Sequence, residues 1–191
     1  MKKAVVLLAE GFEEVEALTP VDYLRRAGVE VRTLGVAGST VRGGHGIAVQ
    51  ADIELSKLEV SKLTEEADCV VVPGGGKGAE NLAASPAAVE LIKRQFASGK
   101  LVAAICAAPA VVLHGACGIL KGRRFTGFPG TEKNVVGATF SEDRVVEDGN
   151  LITSRSAGCA GEFSRAIVKA LVGEKAADEL AERVLLQSAG C

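Results

Sequence analysis

The chain has 191 residues, 24% of them charged and 48% hydrophobic, which suits one buried core and excludes a disordered segment. The net charge is −2, from 22 basic and 24 acidic residues, and the longest basic cluster is only Lys121, Arg123 and Arg124, so no nucleic-acid partner is expected. No stretch approaches the roughly 20 apolar residues of a membrane helix, and the six-residue run Ala4 to Ala9 is too short for a secretory leader. Five cysteines at wide spacing, with no C-x-x-C and only His45 and His114 to assist, argue against a disulfide framework or a metal site. Reduced thiols and a cytoplasmic location are expected.

In chain order, Lys3 to Ala9 predicts a buried strand. Glu13 to Arg26 has helical spacing, with Val15, Leu18, Val21 and Leu24 inward, a kink or a short first turn expected at Pro20 and a stop at Gly28. Val29 to Val36 predicts a second strand, and Thr40 to Gln50 a hairpin around Gly43 and Gly44. Asp68 to Val72 is a continuous apolar strand ending at Pro73 and the glycines Gly74 to Gly76. Ser85 and Pro86 form a cap and first-turn pair ahead of a helix with Val89, Ile92 and Phe96 on one face and Gly99 as its stop. Leu101 to Ile105 predicts another core strand, followed by a helix over Ala107 to His114. Arg144 to Ser154 predicts a strand pair around Asp148, Gly149 and Asn150. Phe163, Ala166, Ile167, Ala170 and Leu171 mark one amphipathic helix; Leu180, Val184 and Leu185 mark a last one.

Short apolar strands alternating with helices predict an α/β fold with a mostly parallel sheet covered on both faces, as a single domain over residues 1–191. Ligands in such folds collect beyond the carboxyl ends of the strands. Three segments share that edge: Glu13, Glu14 and Glu16 after the first strand, Gly74 to Gly76 after the "CVVV" strand, and Cys106 after "LVAAI". A residue at a sharp strand-to-helix turn is lifted out of the sheet, as in a nucleophile elbow. Unpaired N–H groups at the start of the following helix are expected to lower the Cys106 thiol pKa from about 8.5. Position alone fits a buried, inert cysteine equally well. The glycine run, with the N–H of Ala107, offers donors for an oxyanion hole. A carboxyl pressed into an apolar pocket beside the thiol would have a raised pKa; Glu13 and Glu14 read as solvated helix charges, with Glu16 at the margin of the apolar stripe.

The segments "AEGFEEVEALTPVDYLRRAGVEV", "DCVVVPGGGKGAENL", "VAAICAAPAVVL" and "LITSRSAGCAGEF" together resemble the ThiJ/PfpI superfamily, in the branch of DJ-one and bacterial YajL; "TGFPG", Thr126 to Gly130, leans toward the bacterial type. The resemblance covers nearly the whole chain. It implies a flavodoxin-like α/β/α sandwich, a homodimer and no cofactor. It matches Cys106 to the family's reactive cysteine, Glu16 to its acidic partner, and Gly74, Gly75 and Ala107 to its backbone donors. It also implies a cysteine easily oxidised to a sulfinate, and an association with oxidative-stress protection, α-oxoaldehydes and protein deglycation.

This sequence departs from the family pattern in two places. Many relatives carry histidine where Phe128 stands, and Gly-Pro where Ser156 and Ala157 stand. His114 lies eight residues beyond Cys106, about 12 Å along a helix and too far for a base. His45 belongs to the hairpin, which can face the pocket or solvent; Arg26, Arg155 and the Ala157 loop match positions near the pocket or the dimer contact. Histidine after the cysteine, as in protease-like relatives, is replaced by Ala107, and the G-x-C-x-G of glutamine amidotransferases is absent. Cys69 is expected inside its strand, Cys117 part-buried, Cys159 near the pocket or the dimer contact and Cys191 exposed. The expected activity is glutathione-independent conversion of methylglyoxal or glyoxal to lactate or glycolate, with protein deglycation as related chemistry; the alternative is a redox sensor or stress chaperone working through Cys106 oxidation.

Overall fold

The computed structural model describes residues 1–186, so Cys191 lies outside the described residues. It begins with β1 (Lys3–Leu8), the middle of the fold. Successive side chains of a strand point to opposite faces, and here both faces are buried. Ala4, Val6 and Leu8 enter one core, Val5 and Leu7 the other. This is why the strand reads as an unbroken apolar run. Each fully buried leucine removes apolar surface worth about 1.5–3 kcal/mol.

Helix α1 (Glu14–Arg26) follows, then β2 (Glu30–Gly35), a hairpin of β3 (Thr40–Arg42) and β4 (Ala48–Gln50), and β5 (Ile53–Glu54). Next come α2 (Val60–Glu66), β6 (Cys69–Val72), α3 (Gly76–Ala83), α4 (Pro86–Ala97) and β7 (Leu101–Ile105). The chain ends with β8 (Arg124–Phe125), β9 (Thr139–Phe140), β10 (Val145–Asp148), β11 (Leu151–Ser154), α5 (Ala160–Val172) and α6 (Glu174–Arg183). The main sheet has the order β10-β11-β7-β6-β1-β2-β5, and only the β10–β11 hairpin is antiparallel. Helices α1, α5 and α6 cover one face; α2, α3 and α4 cover the other. The architecture is the flavodoxin-like α/β/α sandwich. Among the described residues no helix is long and apolar enough to cross a membrane.

Local rules account for most boundaries. The Ser85 hydroxyl accepts from Ala88 N at 3.3 Å, and Pro86 occupies the first helical position of α4, as expected. Several expectations fail. Val15 is 49% exposed, because Glu16 and Ala17 take the inward side of α1. Pro20 lies inside helix α1, so there is no short first turn at that point. The segment after Cys106 is not an ordinary α-helix: Pro109–Ala116 is π-helical. Leu185 lies past the end of α6, exposed and with a positive φ of 54°. Helices α2 and α3 were not anticipated.

Candidate active site at the carboxyl edge of the sheet

Strands β1, β6, β7 and β11 run parallel, so their carboxyl ends open on one rim. Cys106 follows β7 directly and has φ 66°, a left-handed conformation that disfavours a side chain. Strain of this kind persists only where the surroundings hold it. Here the Cys106 N–H donates to the Ser154 carbonyl at 3.0 Å, and its carbonyl accepts from Phe128 N–H at 2.8 Å. The bend is clamped from both sides, and the thiol stands out of the sheet, partly exposed. Cys69, Cys117 and Cys159 are all buried.

Glu16 arrives from the first turn of α1 and is 1% exposed. That helix is oriented by Glu13, whose carboxylate caps it by accepting from Glu16 N at 2.7 Å, so Glu13 is a cap rather than a solvated charge. The Glu16 carboxyl is hydrogen-bonded to the Cys106 thiol and accepts from Gly74 N at 3.0 Å. The main-chain N–H of Ala157 also turns to this carboxyl, a donor that a proline at 157 could not supply. Gly74 separates the pair so tightly that a Cβ there would lie 2.6 Å from both Cys106 Cβ and Glu16 Oε2.

The backbone donors divide differently from expectation. Gly74 N–H is spent on the Glu16 carboxyl and is not free for an oxyanion. The N–H groups of Gly75 and Ala107 address the Cys106 sulfur itself. Gly75 reaches that orientation with φ 83°, and a Cβ on it would meet the Gly11 carbonyl at 2.5 Å.

Burial raises the Glu16 carboxyl to about 7; the thiol and the N–H groups pull the other way, and Glu13 adds to the rise. Burial also pushes the thiol up, to about 12, with the charge and hydrogen bond of Glu16 adding to it and the Gly75 and Ala107 N–H groups opposing. A thiol ionised by backbone dipoles alone is therefore not what the fold builds. Desolvation outweighs the dipoles, and the carboxyl and thiol titrate as a unit. Above about pH 7 the pair has released one proton, and the negative charge sits on the Glu16 carboxylate beside a neutral thiol.

The remaining candidates sit around this pair or away from it. His45 is exposed, and its Nδ1 lies 2.8 Å from Glu14 Oε2, not at the thiol. Glu14, expected in solvent, is 4% exposed; its carboxylate accepts from His45 N at 2.8 Å and Ile47 N at 3.4 Å. Burial would raise the Glu14 carboxyl, but these bonds hold it below the ordinary value. Glu13, Glu14 and His45 bring one donor atom each within 4.8 Å of one another, a spacing open to a metal ion. The hairpin donors already occupy Glu14, so the cluster reads as an anchor for the hairpin. Arg26 pairs with Asp22 on the surface, at 2.5 Å. Arg155 donates to the Glu142 carbonyl at 2.9 Å. Phe128 is 46% exposed beside the elbow. His114 accepts from Val136 N at 3.4 Å. A groove of about 870 Å³ lies elsewhere, between Val145, Glu147, Arg165, Asp178 and Leu185, and contains none of the candidate residues.

The model of the DJ-1/PfpI family matches residues 2–170. The chain belongs to the DJ-1/PfpI family. It is 40% identical over 190 residues to the Parkinson disease protein 7 homolog of Danio rerio, covering 97% of this chain and 98% of that one. It is 33% identical over 171 residues to a deglycase of Pyrococcus abyssi, covering 88% and 99%. Among solved structures, Drosophila melanogaster DJ-1beta superposes with a TM-score of 0.91 at 36% identity, covering 98% of this chain and 99% of that chain. A cysteine-to-alanine mutant of a DJ-1 superfamily protein from Salmonella typhimurium gives 0.90 at 39% identity, covering 98% and 100%. The family fold is thus shown at the level of sequence and of structure.

Proposed function

We propose that the protein is a cofactor-independent enzyme acting on α-oxoaldehydes through Cys106 and Glu16, with early protein adducts of the same aldehydes as related substrates. The observation that carries this reading is the Glu16–Cys106 pair, brought together at Gly74 with the N–H groups of Gly75 and Ala107 on the sulfur. Family members named deglycases support the same class of chemistry.

The chemistry balances without an oxidant. The Glu16 carboxylate takes the Cys106 thiol proton, the sulfur attacks the aldehyde carbon, and the Glu16 carboxyl passes that proton to the aldehyde oxygen, forming a hemithioacetal. The resulting carboxylate removes the hydrogen on that carbon, giving an enediol, and returns a proton to the neighbouring carbon. The product is a thioester of a 2-hydroxy acid. Water cleaves it, releasing lactate from methylglyoxal or glycolate from glyoxal and restoring the thiol. The test is lactate formation from methylglyoxal by pure protein without glutathione. Wild-type turnover in Cys106→Ser or Glu16→Gln would sink the proposal.

A second reading has its own support: of Cys69, Cys106, Cys117 and Cys159, only Cys106 is not buried. Peroxide can oxidise it to a sulfinate, with water as the by-product, and Glu16 in its acid form can donate to the new oxygen. Mass spectrometry after mild peroxide decides; oxidation at Cys117 or Cys159 first counts against it.

The working unit under this proposal is a homodimer in the cytoplasm. Its support is two exposed apolar side chains flanking buried Glu14: Val15 at 49% on α1 and Ile47 at 54% on the hairpin. Light scattering on wild type and Val15→Lys tests it.

A further inference from the structure

The chain has six phenylalanines, and five of them withdraw wholly or partly from water; Phe12, Phe125 and Phe163 are fully buried. Phe128 alone is classed as exposed, at 46%. It is also the one tied to the elbow: its N–H donates to the Cys106 carbonyl at 2.8 Å, and its own carbonyl accepts from Thr131 N at 3.1 Å and Thr131 Oγ1 at 2.6 Å. The main chain beneath the ring is therefore fixed at both ends.

The groups that meet the thiol itself offer little apolar surface. Gly74, Gly75 and Gly76 carry no side chain, Ala107 carries a methyl group, and the acid–base function sits on Glu16. A molecule with its reactive carbon on the sulfur thus has bare backbone and a carboxyl on one part of its surroundings. Phe128 is a large apolar side chain at the same bend. An exposed aromatic ring is a ready contact for apolar or aromatic surface.

We propose that Phe128 is the apolar wall that selects what is attached to the reacting carbonyl group, favouring an aryl or long alkyl substituent over hydrogen or methyl. This deepens the proposed function by naming the substrate class, R–CO–CHO with apolar R, and rests on that reading for its catalytic form. Apolar contacts in a pocket discriminate by roughly 10- to 200-fold, and a half-exposed ring should act near the lower end.

The experiment has two arms on intact wild type, Phe128→Ala and Phe128→Leu. In the first, kcat/KM is measured for phenylglyoxal and for methylglyoxal without glutathione. In the second, Cys106 alkylation is timed with N-phenyl iodoacetamide and with iodoacetamide, which needs no turnover. Expected is a loss of about tenfold in the phenyl-to-small ratio in Phe128→Ala, in both arms, with part of it kept in Phe128→Leu. If the alkylation ratio falls but neither aldehyde is turned over, the apolar wall stands and the proposed reaction fails. If both aldehydes are turned over and neither ratio changes in Phe128→Ala, the reaction stands and Phe128 is not the selector. Unchanged alkylation ratios with no turnover overturn both.

Discussion

Gly74 faces Cys106 so closely that a methyl group on it would come within 2.6 Å of the Cys106 Cβ. The same methyl would lie 2.6 Å from Glu16 Oε2 and 2.9 Å from the Ile105 carbonyl. The missing side chain is what lets a carboxyl and a thiol meet across a strand end. Gly74→Ala must push one of them away, and overpacking of this kind costs about 1–3 kcal/mol. The expected result is a lower midpoint of thermal unfolding and a rate of Cys106 alkylation that departs from wild type. A variant with wild-type values for both would mean that the pair does not depend on this contact.

The pair should also show itself in the pH dependence of alkylation. Glu16 is raised to about 7 and Cys106 to about 12. The first proton therefore leaves near pH 7, from Glu16, and the charge it leaves behind holds the thiol proton in place. Iodoacetamide should react with Cys106 slowly at pH 7, at a rate that keeps climbing well above the range of an ordinary cysteine. Glu16→Gln removes the group that loses this proton. Glu16 also adds to the rise of the thiol, so this variant should lose the Glu16 titration and be alkylated faster than wild type above about pH 7. A wild-type thiol that titrates as ordinary cysteine, near 8.5, would break the argument.

Glu16 carries a stability cost with a definite sign. Its folded pKa of about 7 exceeds the ordinary 4.5, so the native state holds a proton that the unfolded chain releases. Stability falls wherever the folded state binds more protons and pH rises. The loss should run from about pH 4.5 to about pH 7 and reach about 3 kcal/mol. His45, whose pKa is raised by its bond to Glu14, also loses stabilising charge as pH rises above its ordinary 6.5. The Glu16 part is thus the difference between wild type and Glu16→Gln in urea unfolding at pH 5 and pH 8. Parallel curves for the two would show that the buried carboxyl is not ionised on this scale.

What could be read in the sequence follows physical lines. β1, β6 and β7 were legible because strands buried on both faces must be apolar throughout. Cys106 was legible because an apolar strand that stops at a thiol, alanine and proline implies an abrupt turn. The π-helical form of Pro109–Ala116 was not, since the same residues suit an ordinary helix. Helix α3 was hidden by its glycine-rich start, Gly76 to Gly78. Val15 was misplaced because an apolar stripe alone does not reveal that Glu16 takes the inward side. The thiol's raised pKa was missed because desolvation comes from the whole environment and not from the elbow's own residues. Glu14 was missed because its partners lie more than 30 residues away in the hairpin.

That buried carboxylate is the pin between the hairpin and the site. Glu14 binds His45 N and Nδ1 and Ile47 N, and its carboxyl packs where a Gly43 Cβ would be only 2.3 Å away. The hairpin in turn holds the loop before α1, through Gly11 N to the Arg42 carbonyl and Gly44 N to the Phe12 carbonyl, each at 2.8 Å. Glu13 N then donates to the Gly74 carbonyl at 3.1 Å, beside the reactive pair. Glu14→Gln turns one acceptor oxygen into an NH₂ group facing donors, which costs about 1–3 kcal/mol for a buried group. Hydrogen exchange should show faster exchange across residues 40–50 in Glu14→Gln. His45→Ala, which keeps both main-chain donors, should speed exchange less. Gly43→Ala should resemble Glu14→Gln, because the added methyl group displaces the same carboxyl. If Glu14→Gln leaves exchange in 40–50 at the wild-type rate, the hairpin is held by its backbone contacts and Glu14 is not its pin.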